Sequence, residues 1–266
     1  MLVDGRAIAR EVLAEVRAAV LALSKPPQLS IITATPDLAT KKYLALKQRR
    51  AAEVGIAARV IELLPEATTE EVTATVRTAA EESDSVVVQL PLPPGIEREE
   101  VLASVPVKKD PEGFRYGLDE AARLPPVVGA IVEIAARYGV RWDGATVAVV
   151  GAGRLVGAPV ARFAREAGAR VRVFEKGDDL AELIGADVII SGVGVAGLIT
   201  PDQVREGAVV FDAGTSEASG ELRGDVAPDV AATAALLTPV PGGIGPVTVA
   251  MLLRNVAVLA SARLEI

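Results

Sequence analysis

Tyr43 and Lys47 stand four residues apart in a stretch with helical patterning, which puts both side chains on one face of a helix. Gln89 lies in the apolar run Val86–Leu90, just before Pro91-Leu92-Pro93. A polar amide therefore sits at the carboxyl end of a predicted strand, where ligands of open α/β sheets bind. A lysine partly buried at such a place can have its pKa drawn down far enough to move protons near neutrality. The chain has no His and no Cys. That removes disulfides, thiolate nucleophiles, His-assisted triads and His- or Cys-ligated metals, so no metal site is expected and Lys47 is the natural acid–base group. Each feature also has a plainer reading. Tyr43 and Lys47 could be an ordinary surface pair, and Gln89 could simply satisfy backbone groups at a strand end.

A second constellation begins where the continuous apolar strand Ala145–Val150 runs into Gly151-Ala152-Gly153-Arg154-Leu155-Val156-Gly157-Ala158-Pro159. Glycines at a strand-to-helix turn let the backbone approach a pyrophosphate, and the N–H groups of the following helix stabilise it. The third glycine comes one residue later than in the usual G-x-G-x-x-G spacing. The next predicted strand ends at Phe174-Glu175, where an acid could accept from the adenosine ribose hydroxyls. A tight turn that binds nothing is the alternative. The third patch, Thr238–Thr248, holds three glycines and three prolines, a composition shared by hinges and by binding loops.

The elements that must position these groups alternate. Ile8, Val12, Val16, Val20 and Leu23 mark an amphipathic helix ending near Ser24. Strands are expected at Leu29–Thr33, Arg59–Leu64 and Val86–Leu90. One helix, capped by Asp37 or Thr40, separates the first two, and another, entered through Thr68 and Thr69, precedes the third. A helix over Val127–Tyr138 then leads to strands at Ala145–Val150, Arg170–Phe174, Asp187–Ser191 and Ala208–Asp212, with a last helix over Val247–Leu264. Such alternation implies parallel sheets. The expected fold is two α/β domains with a cleft between them, the C-terminal one a Rossmann-like parallel sheet. Residues 1–139 plus 246–266 would form the catalytic domain and 140–245 the dinucleotide-binding domain. A net charge of -7 and 3% aromatic content argue against nucleic-acid binding. No signal peptide or membrane span is expected, which leaves the cytoplasm as the default.

Three motifs resemble the methylenetetrahydrofolate dehydrogenase/cyclohydrolase family: Tyr43-Leu44-Ala45-Leu46-Lys47, Val88–Pro93 and the stretch Pro239–Asn255. The likeness runs from the first helix to the last. It implies oxidation of methylene-tetrahydrofolate to methenyl-tetrahydrofolate by a nicotinamide cofactor, then hydrolysis to 10-formyl-tetrahydrofolate, in a homodimer. It also implies that Lys47 is catalytic, Gln89 is its hydrogen-bonding partner and Tyr43 orients the folate. Substrate contacts would come from Asp110, Glu112, Leu90, Pro241, Gly242, Gly243, Ile244 and Gly245. Cofactor contacts would come from Gly151, Ala152, Gly153, Gly157, Glu175, Lys176 and Thr215. The departures define the alternatives. Glu112 replaces the family's aspartate, Leu124–Gly129 lacks its Cys-Thr pair, and Ala152-Gly153 and Glu175-Lys176-Gly177 replace its Arg-Ser and His-Ser-Lys. Loss of Arg and Ser beside the ribose, together with Glu175, favours NAD over NADP. A related NAD-dependent dehydrogenase without cyclohydrolase activity, or an inactive nucleotide-binding paralogue, would fit the same departures.

Overall fold

The computed structural model describes residues 1–34, 36–218 and 221–262. In chain order the elements are α1 (Gly5–Leu21), β1 (Gln28–Ala34), α2 (Leu38–Glu53), β2 (Ala57–Leu63), α3 (Thr69–Glu82), β3 (Ser85–Val88), α4 (Arg98–Ala103) and α5 (Pro126–Arg137). They continue as β4 (Thr146–Val150), α6 (Gly157–Glu166), β5 (Arg170–Phe174), β6 (Val188–Ser191), β7 (Val209–Asp212), β8 (Ser216–Ala218), β9 (Glu221–Arg223), β10 (Leu236–Leu237) and α7 (Ile244–Ser261). The expected end of the last helix, Leu264, lies outside the described residues.

Two compact units result, Arg10–Pro126 with Val249–Ile266, and Met1–Ala9 with Val127–Thr248. All three boundaries fall inside helices, α1 after Ala9, α5 after Pro126 and α7 after Thr248. Residues 1–9, 127–139 and 246–248 group with the dinucleotide motif, whereas the sequence reading assigned them to the catalytic domain.

The unit carrying Lys47 is built on a parallel sheet of order β2-β1-β3. β1 is its buried centre, with Ile31 opposite Val60 on one side and Val87 on the other. Ile32, Val86 and Val88 pack on Val72 and Val76 of α3 and on Val101 and Leu102 of α4. Burying each such aliphatic side chain stabilises the fold by ~1.5–3 kcal/mol. The side chain of Asp37 accepts the Thr40 N–H at 2.7 Å and starts α2, while Thr68 and Glu71 form a reciprocal capping box that starts α3.

The other unit holds a parallel sheet of order β10-β7-β6-β4-β5. β4 is buried between neighbours on both sides, with Val149 opposite Ile190 and Val173. This is the Rossmann-like parallel sheet expected from the uninterrupted apolar run. The order reverses at β4, whose successor β5 lies on one side and β6 on the other, so a switch point opens at its carboxyl end. Three features had no sequence signal. The strands of the β8–β9 hairpin have three residues each, and β9 is fully exposed. β10 has two residues, fixed by bonds from β7 and from residues 1–3. α4 is too short to show a helical period. α7 is long and apolar enough to cross a bilayer, yet 56% of it is buried within the fold, as in a core helix.

Candidate active site

The capped start of α2 sets the face from which Tyr43 and Lys47 project. Lys47 is only 4% exposed, and its Nζ donates to Gln89 Oε1 at 3.2 Å and to Glu112 Oε1 at 3.1 Å. The ring of Tyr43 lies 4.8 Å away, centroid to Nζ. Gln89 follows β3 directly. Its backbone N–H donates to the Ile32 carbonyl at 2.8 Å and its side-chain amide to the Leu90 carbonyl at 2.7 Å. Those two bonds turn Oε1 toward the lysine. Leu90 packs on the margin of the apolar core.

Glu112 is held by its neighbours rather than by regular structure. The buried carboxylate of Asp110 accepts the N–H groups of Glu112, Gly113 and Phe114 at 3.0, 2.9 and 2.6 Å. From α7, the Asn255 amide donates to the carbonyls of Pro111 and Leu124, tying both ends of the intervening loop. Burial pushes the Asp110 carboxyl up to about 6, against the pull of its three N–H donors. The sequence shows the aspartate but not that its oxygens are used by this turn.

Lys47 differs from expectation. Burial alone lowers an ammonium pKa, but the charge and hydrogen bond of Glu112, with Tyr43, more than offset it. The net direction is up, so Lys47 rests as an ammonium rather than as a near-neutral base. Tyr43 is also shifted up, chiefly by desolvation, and stays a neutral phenol.

In the other unit, the glycine turn leaves β4 at the switch point. A Cβ on Gly157 would lie 1.8 Å from the Gly151 carbonyl oxygen, so the third glycine serves close packing despite its late position. No side chain caps the start of α6 at Val156. A backbone cradle with an uncapped helix start fits the pyrophosphate of a dinucleotide. Glu175 is exposed just beyond β5, and its N–H donates to Asp178 at 2.7 Å. Lys176 and Thr215 are exposed as well. Pro241, Gly242, Gly243, Ile244 and Gly245 also fall in this unit, at the entry to α7.

Two buried carboxylates at the ends of this sheet were missed. Asp225 accepts from the Ser191 hydroxyl and from the N–H groups of Val193 and Val195 at 2.7, 2.7 and 2.8 Å. Asp212 accepts from Gly214, Asp225 and Val226 at 3.0, 3.2 and 2.9 Å, and burial pushes it up to about 6. A Cβ on Gly214 would meet the Asp225 carboxyl at 2.0 Å, and one on Gly224 would meet Asp212 at 2.0 Å. The only available signal was an acid closing the strand Ala208–Asp212. Among the described residues no cluster of acids could hold a metal ion.

Comparison with known proteins bears on both units. Residues 3–112 match the catalytic domain of tetrahydrofolate dehydrogenase/cyclohydrolase, and residues 125–264 match its NAD(P)-binding domain. A bifunctional protein FolD of Thermus thermophilus is 38% identical over 96% of this chain and 94% of its own. The bifunctional dehydrogenase/cyclohydrolase FolD of Campylobacter jejuni superposes with a TM-score of 0.95 at 31% identity, covering 99% of each chain. A Trypanosoma brucei methylenetetrahydrofolate dehydrogenase-cyclohydrolase, solved with NADP and an inhibitor, superposes at 0.93 with 32% identity, covering 100% of this chain and 99% of its own.

Proposed function

The chain belongs to the tetrahydrofolate dehydrogenase/cyclohydrolase family, and from that premise we propose that Lys47, Gln89, Glu112 and Tyr43 form its folate-reacting centre. The enzyme oxidises methylene-tetrahydrofolate to methenyl-tetrahydrofolate and hydrolyses the product to 10-formyl-tetrahydrofolate. The observation that carries the reading is a buried lysine gripped at 3.2 and 3.1 Å by an amide and a carboxylate from two distant segments.

A bound nicotinamide dinucleotide supplies the hydride acceptor. Gly151, Ala152, Gly153 and Gly157 would hold its pyrophosphate, and Thr215 lies just beyond β7 at the same edge of that sheet. The dehydrogenase step moves a hydride and no proton, so this chain contributes mainly positioning, which can be worth ~7–11 kcal/mol. Hydrolysis differs. Water adds to the methenyl carbon, one of its protons passes to the ring nitrogen that leaves, and the other goes to solvent. Lys47, oriented by Gln89, is the base that takes the first proton from the water, for which it must first give up its own. Glu112 accepts from the amino and ring N–H donors of the pterin, and Tyr43 packs beside it. Asp110 acts through Glu112, by fixing the turn that carries it.

NAD is the preferred cofactor in this reading. Glu175, Asp178 and Asp179 gather beyond β5, and the nearby Arg172 is already paired with Glu182. A 2′-phosphate, carrying about two negative charges, would meet repulsion there with Lys176 as its nearest counter-charge in sequence. The same reading takes the protein to be a cytoplasmic homodimer, which sedimentation would test. Incubation with methylene-tetrahydrofolate and each nicotinamide, following reduced cofactor and methenyl absorbance, tests the function. No turnover with either cofactor would overturn it.

A further inference from the structure

We infer that Glu112 is the counter-ion that keeps Lys47 protonated in the empty site, and that the pterin, by taking over this carboxylate, frees the lysine to act as a base. The inference rests on the folate-reacting centre proposed above and deepens it. Glu112 Oε1 lies 3.1 Å from Lys47 Nζ, with the lysine 4% and the glutamate 22% exposed. The ammonium is thus enclosed while the carboxylate still faces outward, where a ligand can reach it.

The groups around Nζ are few. From its own helix comes Tyr43, a neutral phenol. From the end of β3 comes Gln89, which carries no charge. From the loop comes Glu112, while the carboxylate of Asp110 accepts three backbone N–H groups. Glu112 is therefore the one carboxylate bonded to Nζ among the described residues. Its length matters. An aspartate would withdraw the carboxylate by roughly one carbon–carbon bond, about 1.5 Å, and break the contact. With glutamate, a single carboxylate can serve the lysine in the empty site and the paired N–H donors of a pterin in the filled one. Sharing weakens its hold on the proton, and a cationic methenyl substrate opposes a second positive charge nearby. Both effects drive the proton from Lys47 when the substrate arrives, at the point where the chemistry needs a neutral amine.

The test is the pH dependence of kcat/KM, which reports the free enzyme, for methenyl-tetrahydrofolate hydrolysis in the wild type, Glu112→Gln and Glu112→Asp. An opposite charge at this range shifts a pKa by about 1–3 units. Both variants are expected to move the rising limb of kcat/KM toward acid by about one unit or more, with KM raised more by Gln than by Asp. A higher KM with an unmoved limb would make Glu112 an anchor only and overturn the inference. A second measurement does not depend on turnover. Calorimetric titration with tetrahydrofolate, in mildly alkaline buffers of different ionisation enthalpy, should show proton release by the wild type and none by Glu112→Gln. Release without any hydrolytic activity would sustain the coupling while removing the proposed function. Equal release by both proteins would sink the coupling itself.

Discussion

Replacing Lys47 by Met separates the chemistry from the architecture. Methionine has nearly the same length, so the volume between α2, Gln89 and Glu112 stays filled. What is lost is the charge and two hydrogen bonds, at 3.2 and 3.1 Å. Removing one partner of a buried pair can cost 3–5 kcal/mol when the other is left without solvent. Here the remaining carboxylate is 22% exposed and can rehydrate, and the burial of an ammonium is relieved at the same time. The expected loss of stability is therefore about 1–2 kcal/mol, too little to unfold a chain of this size. The kinetic loss should be far larger. A general acid–base group contributes ~100- to 10,000-fold, or about 3–5 kcal/mol of barrier. The assay is decay of methenyl absorbance at saturating substrate, with thermal melting and dinucleotide titration as controls. Hydride transfer needs no proton from Lys47, so the dehydrogenase rate should fall much less than the hydrolytic one. Hydrolysis at the wild-type rate in a folded Lys47→Met protein would refute the reasoning.

Glu175→Ser should weaken NAD and relieve the penalty against NADP, read as kcat/KM for each; a wild-type preference for NADP of about tenfold or more would reverse the assignment. Gly157→Ala forces a Cβ into the Gly151 carbonyl at 1.8 Å. A loss of about 1–3 kcal/mol in stability is expected. The KM for the dinucleotide should rise while methenyl hydrolysis continues, and an unchanged dinucleotide KM would count against the cradle. Asp212 has its folded pKa raised to about 6 from an ordinary 3.8. Its stabilising contribution is therefore present below the unfolded value and lost as pH rises through about 6. Asp212→Asn should accordingly widen its melting-temperature deficit against wild type as pH falls from neutral toward 4, and a deficit that narrows over that window contradicts the shift.

The parts legible in the sequence share a physical trait, in that their causes are local. The apolar run of β4 requires no partner to be named before it reads as a buried strand, and it is one. Asp37 caps α2 through its own neighbour three residues on, and Thr68 with Glu71 does the same for α3. What was not legible depends on distance along the chain. The bond between Lys47 and Glu112 spans 65 residues, and together with Tyr43 it more than offsets the desolvation from which a lowered pKa was expected. The short strands β8, β9 and β10 owe their existence to pairing and not to pattern.

The interlock at the ends of β6 and β7 has a consequence for how this sequence can drift. Gly214 is confined by the Asp225 carboxyl and Gly224 by that of Asp212, while each acid anchors three donors. A larger residue at either glycine displaces a carboxylate, which takes the acceptor from three buried N–H groups in the case of Asp212, and from the buried Ser191 hydroxyl and two part-buried N–H groups in the case of Asp225. Loss of either acid strands the same donors without making the glycines any more useful. Substitutions among these four positions should therefore be strongly non-additive, the second doing little harm once the first has done its damage. Single-step paths out of the arrangement all cross a stability deficit, so the quartet is inherited together or abandoned together.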